Sequence, residues 1–238
     1  MYETNILNIL KKKLSRAITL FDQKSKIGYT VFDFFVEELE FLELNHDDSK
    51  FVGLKDIKSG KKLKGDIFEE FCKQYLLKIK KFDTVYLLKE TPVDVLNLLG
   101  IKRQDFGIDI IAIKNGKYNC VQCKFKKPHR DGIIQNAGGY IRYNCVNFKE
   151  LSTFYTLAIK TGPWNKLIVM TNTKYVRHIG RKTKQDWSIC LKTFQNLSVS
   201  QIYELIDTKG HLLNEGTSKE STITEMRKAR LLKFENHF

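Results

Sequence analysis

Three polar side chains that could bind a metal ion and stabilise negative charge lie along one stretch of the sequence, DFGIDIIAIKNGKYNCVQCKFKK, residues 105–127. They are Asp109, Gln122 and Lys124. A carboxylate and an amide carbonyl supply oxygen ligands of the kind that Mg²⁺ prefers. A lysine ammonium can stabilise an oxyanion, or can orient or deprotonate an attacking water. These residue types could therefore serve hydrolysis of an anionic substrate, provided that the fold brings them together.

A β-hairpin is predicted to do so. Asn115-Gly116 is the dipeptide that most favours a two-residue hairpin turn, because both central positions need φ > 0. The residues on either side are rich in β-branched and aromatic types, as strands require. Counting outward from the turn predicts the pairs Lys114–Lys117, Ile111–Cys120 and Asp109–Gln122.

Alternation of side chains along the two strands predicts a polar and an apolar face. Gln122 and Lys124 share one face, with Asp109 opposite Gln122. The other face carries Ile108, Ile110, Ala112, Val121, Cys123 and Phe125, as a strand pair packed on a core requires. The alternative is a half-exposed hairpin with ordinary polar positions.

A helix predicted over residues 64–80 supplies a further carboxylate. Its apolar stripe consists of Phe68, Phe71, Cys72, Tyr75, Leu76 and Ile79. At about 100° per residue, Glu69 lies on the border of this stripe, roughly 90° from its centre, whereas Glu70 points into solvent. We therefore expect Glu69 to reach the sheet. The alternative is a solvated glutamate beside a core helix.

The ordered pattern around these residues resembles the PD-(D/E)xK nucleases in their D…QxK form, which is familiar from Mrr-like restriction endonucleases. It is also similar to the nuclease-like domain at the amino end of some large helicases of phages and large DNA viruses. The shared segments are KGDIFEEFCKQYLL, VYLLKETPVDVLNLLG, DFGIDIIAI, VQCKF, ELSTF and KLIVMTNT, between Lys64 and Thr173. The resemblance implies an α/β, restriction-endonuclease-like core, with a mixed central sheet flanked by helices.

The resemblance also implies a metal-dependent DNA endonuclease that uses Mg²⁺ or Mn²⁺. Its G-x-x-F-E pattern matches Gly65, Phe68 and Glu69. The implied catalytic residues are Glu69, Asp109, Gln122 and Lys124, and the implied metal ligands are Asp109, Gln122, Glu69 and the Val121 backbone carbonyl. An amide in place of a glutamate leaves this site one negative charge short, which predicts weaker Mg²⁺ binding unless Glu69 restores the charge.

The charge balance points to nucleic acid as the partner. The chain has 41 Lys and Arg residues against 27 Asp and Glu, a net charge of +14, which is typical of proteins that bind polyanions. The candidate DNA-binding residues are Lys126, Lys127, Arg130, Gln135, Arg177, Arg181 and Lys182. Gln135 belongs to residues 132–144, which we predict to be a loop beside the site.

Composition and periodicity set the domain organisation. Two amphipathic helices are predicted within residues 1–58, an N-terminal helical extension. The nuclease-like domain is expected at 59–206 and a basic tail at 207–238. The 238 residues contain no membrane-spanning run or signal peptide and an odd number of cysteines, five, so we expect an intracellular protein with reduced thiols.

Other functions remain open at this point. A Holliday-junction resolvase or a repair nuclease would share the same core. A catalytically inactive DNA-binding or accessory module would keep the fold and the basic surface without cleaving DNA. A homodimer, or a separate helicase or other DNA motor, could bring the site to its substrate.

Overall fold

Strands in the middle of the chain form a mixed sheet. In the computed structural model the strands are β1 (Thr84–Leu87), β2 (Ile110–Lys114), β3 (Lys117–Lys124), β4 (Ile133–Gln135), β5 (Ile141–Tyr143), β6 (Cys145–Val146), β7 (Lys166–Thr171), β8 (Tyr175–Val176) and β9 (Asp186–Ile189). The main sheet has the order β1-β2-β3-β7-β9. Its first three strands are antiparallel, and β3, β7 and β9 are parallel. The predicted mixed central sheet is thereby confirmed.

The structure describes residues 2–24, 27–40, 42, 60–104, 107–127, 133–135, 141–143, 145–177 and 183–207; the side chains of residues 2–4, 133–135 and 141–143 are not included. Residues 1–206 form one unit. The basic tail predicted at 207–238 lies outside the described residues except for Asp207.

Helices cover both faces of the sheet. They are α1 (Tyr2–Gln23), α2 (Val31–Glu40), α3 (Gly60–Gln74), α4 (Val93–Leu99), α5 (Phe148–Lys160), α6 (Leu191–Gln195) and α7 (Val199–Ile206). A π-helical turn, Tyr75–Ile79, continues α3. Within the described ranges, no helix is long and apolar enough to cross a membrane.

The two N-terminal helices were predicted from their apolar spacing, and both are present. All the residues of the two stripes are buried: Ile6, Ile9, Leu10, Leu14, Ala17, Val31, Phe34, Phe35, Leu39 and Leu42. They belong to the same hydrophobic core as α3 and one face of the sheet. Phe32 of α2 contacts Phe71 of α3 and Phe194 of α6, with ring centroids 5.4 and 4.9 Å apart. Burial of each such ring stabilises the fold by about 1.5–3 kcal/mol.

The β2–β3 hairpin forms the centre of the sheet. Its turn residues Asn115 and Gly116 have φ values of 51° and 67°, as the predicted turn requires. Lys114 pairs with Lys117, and Ile111 with Cys120, so the predicted register is confirmed at these positions.

Both faces of this hairpin are covered. Ile110 and Val121 pack in the core with α1, α2 and α3. Ile111 and Cys120, on the other face, pack in a second core with α4 and α5. The alternative of a half-exposed hairpin is therefore wrong.

Residues 132–144, predicted to be a loop, contain a small hairpin. β4 and β5 pair in antiparallel fashion from Ile133↔Tyr143 to Gln135↔Ile141. Three-residue strands are too short to show a period-2 pattern, which is why the sequence did not indicate them.

Candidate active site

Asp109 lies at the point where β2 begins, in a local break of the strand register. The ladder pairs Ile110 with Val121, yet the Asp109 N–H also donates to the Val121 carbonyl, at 2.9 Å. Two consecutive residues thus oppose one, which is the arrangement of a β-bulge. The predicted pairing of Asp109 directly with Gln122 is wrong by one residue. The bulge also places Ile108 in the second core, whereas we predicted it on the face of Ile110.

The Asp109 carboxylate is held by two donors from β3. Its Oδ2 accepts the Cys123 backbone N–H at 2.7 Å and a short hydrogen bond from the Gln122 amide nitrogen. Both donors belong to the C-terminal end of β3, which lies beside the start of β2. Within the described residues Oδ1 has no hydrogen-bond donor assigned to it, so one oxygen is fixed and the other is left for a ligand.

Gln122 is nearly inaccessible to solvent, with 4% of its surface exposed. Its Nε2 contacts Asp109 Oδ2 and also lies 3.5 Å from the Cys123 carbonyl oxygen. The amide therefore sits between a carboxylate and a main-chain oxygen. For Gln122 Oε1, in place of Nε2, to lie beside Asp109, the amide plane would have to rotate.

Glu69 projects from α3 toward this group, and the electrostatics show it. The pKa of Glu69 is raised to about 8 from an ordinary 4.5, chiefly by burial and then by the charges of Asp109 and Asp66, while Lys89 and Lys124 oppose the change. Burial also raises the pKa of Asp109, although the Cys123 N–H, Lys124 and the Gln122 amide each act to lower it. Glu69 and Asp109 thus lie in the same half-buried place, where the nearby positive charges do not fully offset the cost of ionising both carboxyls.

Glu70 contradicts the prediction that it points into solvent. It is 4% exposed and accepts a hydrogen bond from Gln74 Nε2 at 2.8 Å. Together with Leu63, Ile67 and Gln74 it forms a second buried stripe on α3. The reason is that α3 packs against α1 as well as against the sheet, so the side that a two-layer fold would leave in water is covered.

Lys124 ends β3, paired with Thr171 of β7. Its charge lowers the pKa values of Glu69, Asp109 and Glu150, although burial outweighs this for the first two. The ammonium therefore lies within electrostatic reach of all three carboxylates. The structure thus brings together Glu69, Asp109, Gln122 and Lys124.

The main-chain ligand implied by the resemblance is the Val121 carbonyl, which already accepts the Asp109 N–H. The pairing of β2 with β3 ends at Val121, so Cys123 lies beyond the paired part of β3. Its backbone passes beside Asp109. The Cys123 carbonyl is an additional oxygen that the sequence analysis missed. Among the described residues, no three His, Cys, Asp or Glu side chains form a metal-binding group.

Two further charged residues near Glu69 were not predicted from the sequence. Asp66 lies one turn before Glu69 on α3, and Lys89 lies in the 3₁₀ turn after β1. Both charges act on Glu69. The spacing of Asp66 and Glu69 by three residues places them on the same side of a helix and could have indicated the first of them.

The cysteines beside the site are buried thiols. Cys120 and Cys123 lie in different cores, on opposite faces of β3, because side chains alternate along a strand. Cys72 of α3 and Cys123 are hydrogen-bonded through their side chains, and burial raises the pKa of each thiol. Both therefore remain protonated at neutral pH.

The predicted DNA-binding residues divide into three groups. Lys126 forms an ion pair with Glu150 at 2.9 Å and donates to the Cys145 carbonyl at 2.7 Å, so its charge is partly used within the fold. Lys127 and Arg177 are exposed. Gln135 lies in β4, with its side chain outside the description, and Arg130, Arg181 and Lys182 lie outside the described residues.

Comparison with known proteins agrees with the fold and the motif pattern. A family model described as restriction endonuclease matches residues 77–209, more than half of the chain. No curated protein and no solved structure gives a significant match. The matched segment contains Asp109, Gln122 and Lys124, whereas Glu69 precedes it. With this match and the mixed α/β sheet, the chain belongs to a restriction endonuclease family, which is consistent with the resemblance to Mrr-like PD-(D/E)xK nucleases.

Proposed function

We propose that the chain is a metal-dependent DNA endonuclease whose active site consists of Glu69, Asp109, Gln122 and Lys124. The observation that carries the proposal is the convergence of Glu69 and Asp109 in a half-buried place, where the charge of Asp109 acts on Glu69 and that of Lys124 acts on both. Like charges held together in a half-buried place are typical of catalytic centres. The match to a restriction endonuclease family supports the phosphodiester bond of DNA as the substrate.

The donor set fits a hard divalent cation. Glu69 and Asp109 would offer carboxylate oxygens, and Gln122 a carbonyl oxygen after rotation of its amide. For the main-chain ligand the resemblance implies Val121, but we favour the Cys123 carbonyl, because the Val121 oxygen is engaged by Asp109. Bound Mg²⁺ or Mn²⁺ would supply positive charge at the phosphate and assist the leaving oxygen.

The chain's own residues would hold and orient the reactants. The hydrogen bonds from Cys123 and Gln122 fix Oδ2 of Asp109 and leave Oδ1 available. Lys124 would place its ammonium beside the scissile phosphate, where it stabilises the charge that develops in the transition state or orients the attacking water.

DNA binding would rest on cations around this site. Lys127 and Arg177 are exposed and could contact phosphates. On the sequence alone, Arg130, Arg181, Lys182 and Gln135 are proposed as further contacts. We propose Lys126 as a weaker contributor, because Glu150 already pairs with it. Phosphate contacts position a protein on DNA without selecting a sequence.

The deciding experiment is a substrate panel. Purified protein is incubated with supercoiled plasmid, a four-way junction and single-stranded DNA, each with Mg²⁺, Mn²⁺ or EDTA. Cleavage with metal and none with EDTA is expected. Asp109→Asn, which preserves shape, should abolish it, whereas Asp94→Asn on α4, an exposed position, should not.

The pattern of products then separates the remaining possibilities. Recurring plasmid cuts would indicate a restriction-type enzyme, and preferential junction cutting a resolvase. A resolvase would require a symmetric dimer, which sedimentation can detect. Stimulation by an added helicase would support a separate motor. DNA binding with no cleavage under any condition would overturn the proposal in favour of an inactive binding module.

A further inference from the structure

A cavity lies at the hairpin end of the sheet, away from the candidate active site. Its volume is about 540 Å³, within the range of small-molecule sites. Lys117 at the start of β3 lines it, whereas Gln122 and Lys124 lie at the other end of that strand. Five residues of extended chain separate Lys117 from Gln122 by roughly 17 Å. The cavity is therefore distinct from the proposed nuclease site.

Positive charge dominates the wall. Lys80, Lys114, Lys117 and Lys166 line the cavity. Among the described residues, none of these lysines forms an ion pair with a carboxylate. Among the described lining residues the one carboxylate is Asp186, whose Oδ2 accepts the Thr183 N–H and hydroxyl at 2.8 Å each. An anionic ligand would supply the missing countercharge.

Two of the ammonium groups are held in place. Lys114 Nζ donates to the Lys80 carbonyl at 2.6 Å and lies 5.2 Å from the centre of the Phe82 ring. Lys166 Nζ donates to the Lys184 carbonyl at 2.6 Å. Ammonium groups fixed by main-chain acceptors lose little freedom when a ligand binds. The charge is thus part of a formed site rather than a set of freely moving surface lysines.

The rest of the wall offers an aromatic surface and an amide acceptor. Trp187 is half-buried and lines the cavity. Asn119, 1% exposed, accepts Asn165 Nδ2 at 3.0 Å. This fixes the Asn165 amide, whose carbonyl oxygen is then an acceptor for a ligand N–H. A ring beside lysines and an amide is a suitable combination for a base with its phosphates.

We propose that this cavity binds a nucleotide, with the phosphates against Lys114, Lys117 and Lys166 and the base beside Trp187. The required chemistry is a nucleoside carrying two or three phosphates, or the phosphorylated end of a DNA strand. Binding needs no divalent metal, because the ammonium groups themselves neutralise the phosphates.

Tryptophan fluorescence and calorimetry test the proposal in EDTA, which excludes metal-dependent cleavage. The chain has two tryptophans, and Trp164 is buried in the second core, so Trp164→Phe leaves Trp187 as the reporter. Probes are ATP, adenosine, inorganic triphosphate and a 5′-phosphorylated single strand. ATP should bind by calorimetry and change the emission, with adenosine and triphosphate each weaker by about tenfold or more. Competition between ATP and the single strand decides whether a strand end uses the same cavity.

Matched charge variants complete the test. Lys117→Glu should weaken ATP binding by about tenfold or more, whereas Lys160→Glu, on the exposed end of α5, should leave it within about twofold. Circular dichroism checks that both variants fold. Equal weakening by the two variants would mean general charge attraction and would overturn the proposal. Absence of binding by ATP, triphosphate and the single strand at low salt would also overturn it, as would a response to duplex DNA alone.

Discussion

Replacing Glu69 by glutamine should stabilise the metal-free protein, and only at high pH. The pKa of Glu69 is raised to about 8 from an ordinary 4.5. Below pH 4.5 this carboxyl is protonated in both the folded and the unfolded protein, and its full contribution to stability is present. As the pH rises through 8, the carboxyl ionises at a cost in the folded state, and this contribution to the free energy of unfolding is lost. Glutamine is neutral throughout and does not lose it.

The size of the effect follows from the same values. Each pH unit between the unfolded and folded pKa is worth about 1.4 kcal/mol, which sets an upper limit of about 5 kcal/mol for Glu69 ionisation. Partial exposure and shared protons with Asp109 reduce this to about 2–3 kcal/mol. For a chain of this length that corresponds to roughly 5–10 °C in Tm.

The assay is thermal unfolding in EDTA at pH 5 and pH 8.5. Glu69→Gln should unfold close to wild type at pH 5 and above it at pH 8.5. Glu204→Gln, which removes a charge from an exposed position on α7, is the control and should show no gain at high pH. An equal Tm for Glu69→Gln and wild type at pH 8.5 would refute the argument that two carboxylates compete at this site.

Three further outcomes are expected. Asp109→Ala and Lys124→Ala should each reduce cleavage by about a hundredfold or more and leave DNA binding within about threefold, since affinity is spread over many cations; a collapse of binding would assign the pair to recognition instead. Binding should fall by about 10³–10⁵ between 50 and 200 mM salt if six to ten phosphates are contacted, and salt-insensitive titrations would contradict this. Gln122→Glu should lower the Mg²⁺ concentration needed for cleavage and lower the Tm of the metal-free protein, whereas an unchanged metal requirement would show that residue 122 is no ligand.

Local sequence signals account for much of the fold. Asn115-Gly116 predicted the hairpin and its register because both residues tolerate positive φ. The start of α5 is marked in the sequence by Asn147 and Glu150, which form reciprocal capping hydrogen bonds. The apolar stripes of α1 and α2 could also be predicted from the sequence, because helical periodicity depends only on residues close together in the chain.

Features that depend on tertiary contacts could not be predicted. The bulge at Asp109 interrupts a ladder whose register the turn alone would continue. Glu70 is buried because α1 covers α3, and nothing within α3 indicates that a second layer is present. Glu69 was placed correctly on the border of the apolar stripe, but its electrostatic coupling to Asp109 requires the positions of both elements.

The bulge and the amide at position 122 together lower the cost of burying the Asp109 carboxylate. A glutamate at 122 would add a third carboxylate to Glu69 and Asp109, in a place where burial already raises the pKa of both. The amide instead donates a hydrogen bond to Asp109, and the bulge brings that carboxylate within reach of the Cys123 N–H as well. Two donors on one oxygen offset part of the cost of burying the charge. We therefore infer that glutamine at position 122 trades metal affinity for stability of the fold around Asp109.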